Sequence, residues 1–169
     1  MRLIFWLLLL MMTGVYLAMA LWAIPKITAD AGGLLAFDLR PMGYSFADAQ
    51  AFLSALSEQG RDFYLNVQQM LDRAYPALFA VVMVLAFRRI FSGATRFVAS
   101  AVALAGAGFD YMENAAVAVM LRAGDGLSEA MVALASSWTM LKSAAVTVAL
   151  ILLIVGLVRA VLAKRKAKQ

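Results

Sequence analysis

Four long apolar runs, each bounded by charge, alternate with three polar segments along the chain. The first run is Leu3 to Ile24, between Arg2 and Pro25-Lys26. At about 1.5 Å of rise per residue it is roughly 33 Å long as a helix, enough for the hydrocarbon core of a bilayer. Arg2 followed by Ala18-Met19-Ala20 also fits a cleaved leader. The run outlasts a leader's apolar region and continues through Leu21-Trp22, so an uncleaved anchor is expected. The second run, residues 74–91, carries Pro76 near its start, either as a first-turn proline or as a kink. Phe63 to Leu71 form an amphipathic lead-in to it. The third run covers 97–121 and the fourth 130–158.

The expected fold is therefore all-α: a bundle of four transmembrane helices in a single integral membrane domain, residues 1–169. The charges orient it. With the N-terminus inside, the inner segments hold Arg2, Arg88, Arg89, Arg96, Arg159, Lys164, Arg165, Lys166 and Lys168, with no acid among them. The outer segments mix Lys26, Arg40, Arg61, Arg73 and Arg122 with Asp30, Asp38, Asp48, Glu58, Asp62, Asp72, Asp125 and Glu129. This predicts both termini in the cytoplasm, a basic tail at 159–169, and a long extracytoplasmic loop at 25–73.

That loop contains Ser45-Phe46-Ala47-Asp48, a capping box that predicts a helix to about Gln59, with Gly60 as its stop. Phe46, Ala49, Phe52, Leu53 and Leu56 share one face at helical spacing. Packing on the chain's own bundle is the plainer use of that face; a groove for a partner is the sharper one. A second helix should run from Arg61 into the second span.

Composition narrows the function. Hydrophobic residues make up 64% of the 169 and charged residues 15%, far from a soluble domain's balance. The net charge of +5 is divided by apolar runs, so it forms no nucleic-acid surface. With no Cys and no His, the chain offers no disulfide, thiol nucleophile, Cys/His metal site or imidazole base. No metal or cofactor is expected. Carboxylate ligation by Asp38, Asp48, Asp62 and Asp72 matches no metal-binding loop spacing. A Schiff base on Lys142 would need a chromophore that four spans hardly enclose, and Gly106 and Gly108 form no phosphate loop.

The informative residues are Asp110, Glu113 and Asn114 on the third span and Lys142 on the fourth. Asp110 and Asn114 are one turn apart, on a stripe with Ala103, Gly106, Ala107 and Val117, while Phe109, Met112 and Val119 point away. Lys142 shares a stripe with Ala135, Trp138, Thr139, Ala145, Val146 and Ala149. Asp110 lies roughly 16 Å from the outer end of its span and Lys142 roughly 18 Å. The short connection makes the two spans antiparallel neighbours. An Asp110–Lys142 ion pair is predicted, with Glu113 or Asn114 adding hydrogen bonds. An unpaired charge at mid-bilayer costs about 2.5–3.5 kcal/mol on insertion scales, so pairing is nearly obligatory. The cluster is then either a clasp fixing helix register or a working site.

Phe37-Asp38, Pro41, Gly43-Tyr44-Ser45, Gly60-Arg61, Tyr64, Asp72, Tyr75-Pro76, Phe109-Asp110, Glu113-Asn114 and Lys142 occur in an order that resembles a set of small four-span bacterial inner-membrane proteins with no assigned activity. The resemblance implies the inner membrane and implies no reaction.

The reading preferred from sequence is an accessory, assembly or scaffolding subunit, partnered by the lipid bilayer and by a larger membrane complex or further copies of itself. One alternative is proton- or ion-coupled transport by a homo-oligomer, with Asp110 and Glu113 as carriers. The other is an intramembrane enzyme acting on a lipid or isoprenoid. There Asp110 or Glu113 would be the acid/base, Lys142 the electrophilic support, and the loop a lid. Asp38, Tyr44, Arg61, Tyr64, Asp72 and Tyr75 are the candidate outer-face contacts.

Overall fold

The computed structural model describes residues 2–166, all of them helix, turn or short connection; Lys168 of the basic tail lies outside the described residues. Five helices dominate: α1 (Arg2–Asp30), α2 (Phe46–Ala55), α3 (Glu58–Ile90), α4 (Gly93–Ala123) and α5 (Glu129–Lys166). By length and apolar content α1, α3 and α5 can cross a membrane. α4, the third predicted run, is long enough at 31 residues, but it carries the charges of the cluster. α1 packs on α3, α3 on α4 and α4 on α5, and α3 also touches α5.

α1 does not stop at Ile24 as the sequence suggests. Pro25 has no N–H to continue the hydrogen-bond ladder. The turn before it, Met19–Ala23, widens to the π form, with the Ile24 N–H on the Met19 carbonyl, and the helix continues to Asp30. Much of the expected loop is therefore helical, and the connection shrinks to residues 31–57.

Within that connection the capping box forms as expected. Ser45 Oγ accepts the Asp48 N–H at 3.2 Å, and the Asp48 carboxylate accepts the Ser45 N–H at 2.9 Å. Hydrogen bonds from Ser45 hold the exposed Asp48 carboxyl below its usual range, so the cap is complete above that range and loosens as acid protonates it. Gly60 is not the stop. α2 ends at Ala55, Leu56 is extended, and Ser57 caps α3 by accepting the Gly60 N–H at 3.0 Å. Asp30, at the end of α1, holds Ser57 through its N–H at 2.9 Å and its hydroxyl at 2.8 Å. A Cβ on Gly60 would strike that carboxylate, which is why the first turn of α3 carries glycine there.

The apolar face of α2 is covered by its own bundle. Ala49, Phe52, Leu53 and Leu56 are buried with Phe37, Tyr64, Val117, Met120, Leu121, Val132 and Ala135. The Phe37 ring lies 4.9 Å from Phe52 and 4.8 Å from Tyr44. A second core, Phe79, Met83, Phe87, Ala99, Ala103 and Ala149, fills the opposite end. On α4 the stripe Ala103, Gly106, Ala107, Asp110, Asn114 and Val117 is buried, while Met112 and Val119 are exposed, as helix packing through small residues requires.

Pro76 lies inside α3 and leaves the Asp72 carbonyl without its usual N–H partner. The Asn114 side-chain amide supplies one, donating to Asp72 O at 3.2 Å; in return Gln69 Nε2 donates to Asn114 O at 2.8 Å. The Tyr111 hydroxyl bonds the Arg73 carbonyl at 2.9 Å. The proline thus makes α3 depend on α4. Asn114→Leu should cost about 1–3 kcal/mol by orphaning a buried carbonyl. In a Pro76→Ala background, where the backbone regains the donor, the same change should cost clearly less. Unfolding of the four proteins in mild detergent measures this; additive losses would contradict it.

Candidate functional site

α4 and α5 run antiparallel across a tight turn, in which Gly124 has φ 51°. The pairing puts Glu113 opposite Thr139 and Lys142, and Asp110 opposite Lys142. Glu113 is the more tightly held acid. One carboxylate oxygen accepts the Thr139 hydroxyl at 2.5 Å, and the other is in direct contact with Lys142 Nζ. Asp110 Oδ1 lies 3.6 Å from the same nitrogen. The expected ion pair is present, with the order of partners changed: Glu113 is the primary partner and Asp110 the secondary one. The reason is reach. Glu113 has one more methylene, and Thr139, one turn from Lys142, fixes its far oxygen. Side-chain exposure follows the same order, 1% for Glu113 and 8% for Asp110.

The connection between α1 and α2 folds inward over this cluster. Gly43 crosses α5 so closely that a Cβ would lie 2.6 Å from Ser136 Oγ, and its φ of 84° also favours glycine. That approach lets the Tyr44 N–H donate to Ser136 Oγ at 2.9 Å and brings the Tyr44 phenol to Thr139. Burial pushes the phenol above its ordinary range, so it stays neutral. Tyr64, fully buried, donates its hydroxyl to Asp38. Asp38 and Asp72 line the same cavity as Asp110 and Lys142.

Of the six candidate outer-face contacts, Asp38, Tyr44, Tyr64, Asp72 and Tyr75 are therefore gathered toward the cluster. Arg61 is not among them. Its guanidinium donates to Leu121 O at 2.6 Å and Leu53 O at 3.1 Å, closing the last turns of α4 and α2. Of the carboxylates weighed as metal ligands, Asp48 caps α2 and Asp62 accepts from Asn66, away from Asp38 and Asp72. Among the described residues no group of three or more acids is disposed to hold a metal.

Beside the cluster lies a cavity of about 520 Å³. Tyr16, Met19, Ala20, Ile24 and Thr28 of α1 form one wall and Ser143 and Val146 of α5 the other. Asp38, Asp72, Tyr75, Asp110 and Lys142 supply its polar end. Glu113 is not part of its lining. Glu113 and Thr139 hold the ammonium, and Asp110 is the acid of α4 that lines the cavity. Thr139 and Ser136 were not expected at the site, although Thr139 shares the helical stripe of Lys142. Gln68 was also missed. It is fully buried between Tyr64 and Asp72 along α3, and neither end of its amide has a hydrogen-bond partner among the described residues.

Comparison of the chain with protein-family models, with curated proteins and with solved structures finds no match.

The geometry ranks the pairs. Lys142→Met should cost about 3–5 kcal/mol by stranding buried carboxylates. Adding Glu113→Gln should recover more of that loss than adding Asp110→Asn. Two double-mutant cycles, read by unfolding in detergent, measure the couplings. A 110–142 coupling equal to or larger than the 113–142 coupling would contradict the assignment.

Proposed function

We propose that the chain is a four-span protein of the bacterial inner membrane, with both termini cytoplasmic, that takes an amphiphile from the bilayer into the cavity beside Asp110 and acts on it by proton transfer. In this reading α4 is the remaining span. Its charges are tolerable because they face Lys142 rather than lipid. The observation that carries the functional reading is the cavity between α1 and α5. Its volume falls within the range of small-molecule sites, about 300–1,000 Å³. Its walls are apolar, as a lipid or isoprenoid chain requires, and its polar end presents the Asp110 carboxyl beside the Lys142 ammonium, with Asp38 and Asp72 also in the lining. Asp110 would exchange the proton, Lys142 would stabilise developing negative charge, and Glu113 would keep Lys142 in place.

A purely accessory role has less support, since the apolar face of α2, which could have offered a partner groove, lies against its own bundle as the plainer reading expected. Proton-coupled transport would use the same acids but needs a route to both faces. Beyond Asp110 the bundle is filled by Phe79, Met83, Phe87 and small residues.

Two variants test the proposal. Protein purified in mild detergent should carry an extractable amphiphile, seen by mass spectrometry at about one per chain. Ser143→Trp, which fills the cavity, should lose it while keeping its melting temperature. Asp110→Asn should retain the amphiphile but lose the pH dependence of its binding. Retention by Ser143→Trp would overturn the pocket, and an unchanged pH profile in Asp110→Asn would overturn the acid–base role.

A further inference from the structure

The polar end of the cavity between α1 and α5 is unbalanced in charge and in hydrogen bonding. Asp38, Asp72 and Asp110 line it, and among the described residues Lys142 is the one basic residue of the lining. Lys142 Nζ is already in direct contact with Glu113, outside that lining. Four carboxyls thus share one ammonium. The arginines nearest in sequence are turned elsewhere: Arg73 Nε donates to Gln69 O at 3.2 Å, and Arg40 donates to Leu35 O at 2.8 and 3.0 Å. Carboxylates in excess, taken out of water, need protons or a further cation. The hydrogen bonds show the same surplus. Asp110 is 5% exposed and its Oδ1 accepts no hydrogen bond among the described residues, since Lys142 Nζ stands 3.6 Å away. On the α1 wall, the buried Thr28 hydroxyl also has no hydrogen-bond partner among the described residues. The same lining holds Tyr16 and Tyr75, whose rings lie 6.0 Å apart, and aromatic faces attract cations.

We infer that the amphiphile of this cavity carries a primary ammonium headgroup. The inference rests on the reading that the cavity takes an amphiphile from the bilayer. A primary ammonium has three N–H donors and no acceptor, the complement of a lining rich in acceptors. Its charge offsets the surplus carboxylate, and its bonds to Asp110 Oδ1 and to the Thr28 hydroxyl would satisfy both orphaned groups. A phosphate or carboxylate headgroup would add an anion to four carboxyls, and an alcohol would leave their charge unanswered.

The test uses the full chain in a neutral detergent at pH 7, where an alkylammonium stays charged. It is titrated with decylamine, decanol and decyl phosphate, which share one chain length. Native mass spectrometry and the rise in melting temperature are the readouts. The chain's net charge of +5 favours the anion in nonspecific association, so a preference for the amine runs against it. Decylamine should bind one per chain, about ten-fold or more tighter than either other probe, and Ser143→Trp should abolish its binding. Asp38→Asn and Asp72→Asn should each lower the amine-to-alcohol preference about ten-fold. That ratio is insensitive to general damage to the pocket, which weakens both probes. Decanol or decyl phosphate binding as tightly as decylamine, and lost in Ser143→Trp, would overturn the ammonium and leave the pocket standing. Binding unchanged in Ser143→Trp, or no binding of any probe, would overturn both. A preference for the amine that survives in full in both aspartate variants would overturn the ammonium assignment alone.

Discussion

The ammonium of Lys142 has to be neutralised inside the bundle. Glu113 does this directly, Asp110 from 3.6 Å, and Thr139 fixes the free oxygen of Glu113. Much else follows from that need. The two helices must keep one register, since sliding either by a turn would separate the charges by about 5 Å. They must also approach closely, which is why Gly106 meets Ala145 and Val146 and why Ala103 and Ala107 line the seam. A bulkier stripe would hold the helices apart and leave the charges unpaired.

A second constraint ties α3 into the same assembly. Pro76 removes a backbone donor and the π turn at Tyr64–Gln68 shifts the helical register upstream. The freed groups are met by side chains of α4, among them Asn114, whose neighbour Glu113 holds the ammonium. The shifted face carries Tyr64, Gln68 and Asp72 inward, where Asp38 joins them. Structural repair and the polar site are built from adjacent residues, so neither can change without affecting the other. Glu113 stabilises the pair and is closed off. Of the two acids of α4, Asp110 is the one that lines the cavity.

The long elements were legible because a span must be apolar over a fixed length, and the capping box was legible because its chemistry is local. The small stripe of α4 and the depth match between Asp110 and Lys142 followed from helical period and rise. Three features were not legible. The choice of Glu113 over Asp110 turns on side-chain reach and on Thr139, which spacing alone does not resolve. The end of α1 was misplaced because proline normally breaks a helix, and a widened turn absorbs it here. The inward turn of Tyr44 depends on Gly43 crossing α5, a long-range contact that no local pattern encodes. The face Tyr64, Gln68, Asp72 and Tyr75 was nonetheless a visible polar stripe, and polar residues on one face of a buried helix point to a shared interior.

The central claim is that the two acids of α4 differ in access: Asp110 meets the cavity between α1 and α5, and Glu113 is sealed behind Lys142. An apolar carbodiimide reaches carboxyls from the bilayer and marks them covalently. Treating the membrane-embedded protein with dicyclohexylcarbodiimide and mapping the adduct by peptide mass spectrometry reads that difference directly. The account predicts modification at Asp110 with Glu113 unmodified. Equal labelling of both acids, or labelling of Glu113 alone, would contradict it.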